Sequence, residues 1–391
     1  MNKDYVFMSE SVTGGHPDKL CDRISDAIVD RFLYLDPSAR INAECAVATG
    51  TVFIAAAFDA SEDVDIPEIA RRVIDDTGYR DEDFSARDCA ILTSFAAGAG
   101  ERPGAPGVSP PADDPNAIKP QEAVTAFGFA CDQTAVHLPL PIYLAHRLAR
   151  RMDEVRPELD HLSPDAKTQV GVTYREGRPQ AIQSVSLRAF RSRAGAADHA
   201  TLADRIREHV IEAVFRAEGI RPDAGTAVMI DIAGSVGGPA DHAGLTGRKT
   251  AIDTYGEFSR HSGAALSGKD IHRIDRIGAY AARYAAKNIV AAGLAGQCEV
   301  ALSYTAGLPG PVSILVETAR TGRVDDGELK RRVERVFDFR PAAIMRDLGL
   351  EGVVRAAEGR FFQHLAAYGH MGRADLSPPW ERTDRVEALL D

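Results

Sequence analysis

Apolar positions between residues 17 and 35 recur with the helical period: Ile24, Ala27, Ile28, Phe32 and Leu35 fall on one face. Pro17 suits a first turn and Asp36-Pro37 stops the run, so the pattern predicts an amphipathic helix over 17–35. Two β-rich runs follow, 41–48 and 52–58, with Thr49-Gly50 as a hairpin turn between them. A short helix is expected over 65–76. From 96 to 121 the chain is dense in Gly, Pro, Ala and Asp without any period, which predicts a lid or binding loop. Beyond it the patterns predict a helix over 136–155, a strand entered from 162–170, a strand at 181–189, a helix at 200–217 and a strand at 226–232. A helix at 276–292, strands at 298–305 and 312–318, and a helix at 326–335 complete the series. A strand pair followed by a helix thus comes about three times, which predicts an α+β chain of three similar layered units. The divisions expected are 1–97, a loop at 98–120, 121–230 and 231–391.

The length of 391 residues agrees with two or three cores. Apolar content of 45% and charged content of 26% are those of an ordinary soluble globular protein. A net charge of −11 repels nucleic acid, and no basic patch offsets it, so DNA and RNA are not expected partners. Cys21, Cys45, Cys89, Cys131 and Cys298 show neither Cys-x-x-Cys nor zinc spacing and read as buried thiols of a reducing compartment. The first residues show no apolar leader, and no run approaches the roughly 18 apolar residues of a membrane span, so a cytoplasmic location is expected.

Candidate chemistry concentrates in two places. Residues 244–275 place Arg248, Lys249, Lys269 and Arg273 among glycines and small residues, with Asp275 beside them. Glycine-rich turns let backbone N–H groups and cations approach phosphate oxygens, and a carboxylate there suits Mg²⁺ shared with phosphate. On these residues alone, a polyphosphate site and a solvated charged loop are both open readings. The second place is 9–19, where Gly14-Gly15 leads to His16-Pro17-Asp18-Lys19 at a predicted helix start. A helix N-terminus favours anions, but a capped turn would give the same pattern.

The longer motifs break the tie. Ser-Glu-Ser-Val-x-x-Gly-His-Pro-Asp-Lys at 9–19, Pro-Asp-Ala-Lys-x-Gln-Val at 164–170, Gly-Leu-Thr-Gly-Arg-Lys at 244–249, Asp-Thr-Tyr-Gly at 253–256 and Ser-Gly-Lys-Asp at 267–270 are similar to those of the S-adenosylmethionine synthetase (methionine adenosyltransferase) family. The resemblance continues through 281–295, through Ala-Tyr-Gly-His-Met-Gly-Arg at 367–373 and through Pro-Trp-Glu-Arg-Thr-Asp at 379–384. It implies three similar sheet-and-helix domains in a pseudo-threefold arrangement. It also implies a homodimer joined through flat sheet faces, with active sites between subunits and dimers that often pair into tetramers. The reaction implied is attack of the methionine sulfur on C5′ of ATP, with triphosphate leaving and then hydrolysed to pyrophosphate and phosphate. By position, Lys167, Arg248, Lys249 and Lys269 carry over as triphosphate ligands and His16 as the donor near the bridging oxygen. Asp18 and Asp275 carry over as ligands of magnesium, two ions per site, and Glu44 as the carboxylate at a potassium site. Asp165, in Pro-Asp-Ala-Lys, carries over as a nucleotide-binding residue.

The amino-acid pocket departs from the family pattern. Ala57 stands where the family has the glutamate for the methionine ammonium, and Gly98-Ala99-Gly100-Glu101 replaces a Gln-Ser-Pro-Asp segment. The lid motif becomes Gln121-Glu122-Ala123-Val124, keeping one carboxylate in Glu122, and Arg273 stands for a lysine. Asp241-His242-Ala243 replaces a Gly-Asp pair, which loses the ammonium-binding Asp or shifts it to Asp241, and Ser235-Val236 shortens the stretch against adenine. Each charge-assisted hydrogen bond is worth about 1.5–3 kcal/mol, so the losses call for local substitutes such as Asp59 or Glu101, or for another acceptor or nucleotide. A triphosphate hydrolase without adenosyl transfer is the third reading.

Overall fold

The computed structural model describes residues 4–60, 62–98, 114, 116–159, 162–191 and 199–391. In chain order the strands begin with β1 (Tyr5–Val12), β2 (Arg40–Ala48), β3 (Thr51–Asp59), the short β4 (Arg80–Asp81) and β5 (Phe84–Ser85), β6 (Ala90–Ala97) and β7 (Val124–Cys131). They continue with β8 (Leu162–Arg175), β9 (Arg178–Arg191), β10 (Ala227–Ala233), β11 (Gly244–Leu245), β12 (Gln297–Tyr304) and β13 (Ser313–Glu317). The first three helices are α1 (Pro17–Leu35), α2 (Ile66–Thr77) and α3 (Leu140–Val155).

The three expected strand pairs are present as β2–β3, β8–β9 and β12–β13, each antiparallel. Each is followed by a helix: α2, the helical stretch from His199 to Phe215, and Asp326–Val336. In the first two units the helix leads to a strand parallel to the second member of the pair, β6 on β3 and β10 on β9. That is the crossover geometry a parallel partner requires. Each sheet is then completed by an antiparallel strand from elsewhere in the chain: β11 on β2, β1 on β8 and β7 on β12. The exchange is cyclic. The first unit lends β1 to the second sheet, the middle of the chain lends β7 to the third, and the last part lends β11 to the first.

Along β2 the small and branched residues Ile41, Ala43, Cys45 and Val47 point inward under α1, whose Leu20, Ile24, Ile28 and Phe32 are buried against them. Asn42, Glu44 and Ala46 take the opposite face, as period-two alternation demands. That outer face continues through Phe53 and Leu92, which lie opposite each other in β3 and β6 and are 43% and 55% exposed.

Several elements lay beyond the sequence patterns. β6 reads Ala-Ile-Leu-Thr-Ser-Phe-Ala-Ala, apolar on both faces, so alternation gave no signal, and the loop expected from 96 starts after Ala97. β7 contains Gly128, which reads as a breaker but allows the helix Ile274–Ala291 to close in: a Cβ there would sit 2.0 Å from the Ala282 carbonyl carbon. The helix expected from 136 starts at Leu140, because Pro139 holds the preceding residue extended. The helix expected at 200–217 spans His199 to Phe215 with a π-helical stretch, Arg207–Glu212, inside it. The expected lid at 98–120, with Glu101, falls mostly outside the described residues. Among the described residues no helix is long and apolar enough to cross a membrane.

Candidate active site

The start of α1 is built by contacts between distant segments. Thr13 Oγ1 donates to the Pro164 carbonyl at 2.7 Å and accepts the Ala166 amide at 2.8 Å, which ties the loop before α1 to β8. Gly15 lies so close to this strand that a Cβ would meet Pro164 at 2.4 Å. Gly244, in β11, approaches the first turn of α1 in the same way: a Cβ would fall 2.2 Å from the Pro17 carbonyl. Only glycine permits either approach.

A ladder of buried carboxylates on α1 holds the two cation-bearing loops. Asp18, Asp22, Asp26 and Asp30 are four residues apart and therefore lie along one side of the helix. Asp18 accepts the Leu245 amide at 3.0 Å, Asp22 the Gly247 amide at 2.8 Å, and Asp26 the Gly268 amide at 2.8 Å. Asp30 accepts the amides of Phe362 and Gln363, both at 2.9 Å. The edge of β2 away from β3 completes the anchorage. Thr246 N donates to Cys45 O at 2.9 Å, Ala43 N to Gly268 O at 2.8 Å, and Asn42 and Lys269 form an antiparallel bridge. Arg248, Lys249 and Lys269 therefore leave a rigid frame although their backbones are loops.

Lys19, next to Asp18, is not part of the cleft. It is fully buried between Asp22, at 2.7 Å, and Asp253. These two carboxylates hold its ammonium pKa up despite the cost of burial.

His16 caps α1, with Nδ1 accepting the Asp18 amide at 3.2 Å. An amide can only donate, so the proton of the neutral ring sits on Nε2, which is buried with no partner among the described residues. Burial holds the His16 pKa down at about 3; the charges of Lys167 and Lys249 push it the same way, against the pull of Asp165. The ring is thus a neutral Nε2–H donor facing a cation-lined space at ordinary pH.

Asp165 is buried and its Oδ2 accepts the Gly238 amide at 2.9 Å and a hydrogen bond from His242 Nε2 at 2.7 Å. His242 stacks edge-on to His16, with ring centroids 5.1 Å apart. His16, Asp165 and His242 each offer an atom within 4.8 Å of the others, a nitrogen-rich set that suits zinc more than magnesium. Both imidazoles, however, present N–H where a metal needs a lone pair: Nε2 of His16 by its cap, Nε2 of His242 by Asp165. The cluster works as a hydrogen-bonding group.

Two other carboxylates suit a hard cation. Asp18 is ion-paired with Lys249 at 3.1 Å and Arg248 at 3.6 Å, and Asp275 with Lys269 at 3.2 Å. Each offers one buried carboxylate beside fixed cations, the usual protein share where Mg²⁺ is shared with phosphate.

The structure therefore gathers His16, Asp18, Asp165, Lys167, Arg248 and Lys249 around the start of α1, and Lys269 with Asp275 at the start of helix Ile274–Ala291. Arg273, at the cap of that helix, is ion-paired with Glu122, so two residues of the expected amino-acid pocket meet. Glu44 lies on the outer face of β2, the face away from α1. Asp241 is exposed and folds back to accept the Gly237 amide at 3.1 Å, while its neighbour His242 turns toward His16. In the sequence His242 was given no role, and of the aspartate ladder Asp18 alone was singled out. The four-residue spacing of 18, 22, 26 and 30 was a visible signal; the loops it would bind were not.

The comparisons agree with this architecture. Family models for S-adenosylmethionine synthetase match in order along the chain: the N-terminal domain at residues 4–99, the central domain at 118–236 and the C-terminal domain at 236–382. The chain belongs to the S-adenosylmethionine synthetase family. Among its relatives, the S-adenosylmethionine synthase of Rippkaea orientalis is 43% identical over 411 residues, covering 100% of this chain and 97% of that one. Those of Synechococcus sp. (strain JA-3-3Ab) and Synechococcus elongatus are 45% and 43% identical, over 99% and 100% of this chain and 97% and 98% of theirs.

Proposed function

We propose that the protein is a methionine adenosyltransferase that forms S-adenosylmethionine from ATP and methionine. The observation that carries this reading is the neutral, buried Nε2–H of His16 beside Lys167 and Lys249. A thioether is a modest nucleophile, so catalysis must act on the group that leaves. As sulfur bonds to C5′, the C5′–O bond breaks and its electron pair goes to the triphosphate oxygen. Fixed cations and a preoriented donor stabilise that charge without reorganising, the usual source of large rate effects. In this reading His16 donates to the bridging oxygen, while Lys167, Arg248, Lys249 and Lys269 hold the triphosphate. Asp165 holds the nucleotide, and Arg273, Glu122 and Asp241 belong to the acceptor end.

Asp18 and Asp275 would hold Mg²⁺, two ions per site, and Glu44 would hold K⁺. When bound, the metal ions neutralise phosphate charge. Glu44 lies on the apolar outer sheet face, which supports a homodimer whose sites form between subunits. Water then cleaves the held triphosphate to pyrophosphate and phosphate.

The test is incubation with ATP, Mg²⁺ and K⁺, with and without methionine, followed by mass spectrometry of the nucleoside. S-Adenosylmethionine formed only with methionine is the expected result. Triphosphate release with no adenosylated sulfonium would reject it.

A further inference from the structure

A cavity of about 490 Å³ lies between α3, the end of the helical stretch at Phe215, and the segment 368–375. None of its lining residues belongs to the cation cleft around His16. Its size is that of a small-molecule site. Val136, Leu138, Val214 and Met371 make an apolar floor. Arg147, Arg150, Arg151 and Arg373 supply four positive charges, against Glu154 and Asp375 in the same lining. Glu218 pairs with Arg147, which leaves one positive charge in excess in a chain of net charge −11.

The guanidinium groups are held in place rather than free. Arg150 is fixed by Glu154 at 3.2 Å and by Asp375 at 2.9 Å, and Arg151 by the His209 carbonyl at 3.0 Å and Glu154 at 3.3 Å. These bonds run through Nε and Nη1, and among the described residues Nη2 of both remains to donate. Two fixed guanidinium groups and an apolar floor in one lining match an anionic oxygen group joined to an apolar ring. The wall of the cavity also reaches the core of the molecule: His370, beside Met371, donates its amide to Asp253 O at 2.8 Å, and Asp253 grips Lys19.

We infer that this cavity is a second ligand site, separate from the catalytic cleft, for a small aromatic anion of the aryl phosphate class. The test uses the full chain with Mg²⁺ and a non-hydrolysable ATP analogue filling the catalytic site, titrated calorimetrically with 1-naphthyl phosphate. One site per chain is expected, with 1-naphthol and inorganic phosphate each binding at least tenfold more weakly. Arg151→Ala should weaken 1-naphthyl phosphate at least tenfold, and Val214→Trp, which fills the floor, should abolish its binding. Two variants at different positions keep the test decisive if one fails to fold. Absence of binding, binding abolished by the ATP analogue, or affinity unchanged in the folded variants would overturn the assignment.

Discussion

At the scale of single residues, the site depends on protons in fixed places. His16 receives an amide on Nδ1 and stays neutral because its ring is buried. Its folded pKa lies below the unfolded value, so the stability from burying the neutral ring is present above about pH 6.5 and is lost as pH falls toward about 3. Between pH 5 and 8 the ring should not titrate, and ¹⁵N spectra of the imidazole should show the Nε2–H form throughout. Replacing it, His16→Ala, should lower kcat by about a hundredfold or more while changing KM for ATP far less. His16, Asp18 and the cations were legible because they sit in contiguous motifs. His242 was not, because its role depends on Asp165, a residue 77 positions away.

At the scale of elements, α1 organises the cleft. Its apolar face was plain in the sequence and Asp18 was read there as a magnesium ligand, but Asp22, Asp26 and Asp30 drew no reading. All four are buried, because loops from the far end of the chain bring amides to them. Gly268 shows how tight this fit is: its φ is +81°, and a Cβ would meet Ala43 O at 2.1 Å. Gly268→Ala should therefore destabilise by about 1–3 kcal/mol and displace Lys269, read as a lower unfolding midpoint together with a raised KM for ATP.

Asp30 gives the helix a pH signature. Burial raises its pKa from 3.8 to about 7, against the two amides that lower it. A raised carboxyl contributes its stability below the unfolded value, and this is lost as pH rises through about 7. Denaturant titrations should therefore show a penalty of roughly 2–4 kcal/mol accumulating between pH 4 and 7, and Asp30→Asn should flatten that slope.

For the whole molecule, the threefold repetition of strand pair and helix was legible, since each unit has its own local periodicity. The cyclic exchange of β1, β7 and β11 was not. A strand added from another unit leaves no trace in local pattern, and β11 has only two residues. The first sheet is completed by the segment that leads to Arg248 and Lys249, so the frame that carries these cations is built from distant parts of the chain. The outer face bearing Phe53, Leu92 and Glu44 should be covered by a second copy. Leu92→Glu, which places charge in the middle of that face, should halve the mass seen by light scattering and abolish turnover. A folded variant with unchanged mass and turnover would remove this face from the account.

The proposed function requires that the bond between C5′ and oxygen breaks, so that the entire triphosphate departs. The most direct measurement uses ATP carrying ¹⁸O at the 5′ bridging oxygen, turned over with methionine, Mg²⁺ and K⁺. Cleavage at C5′ puts the label in the inorganic phosphate products and leaves none in the nucleoside product. Label retained on the nucleoside would mean that a phosphorus–oxygen bond is cut instead, and would contradict it.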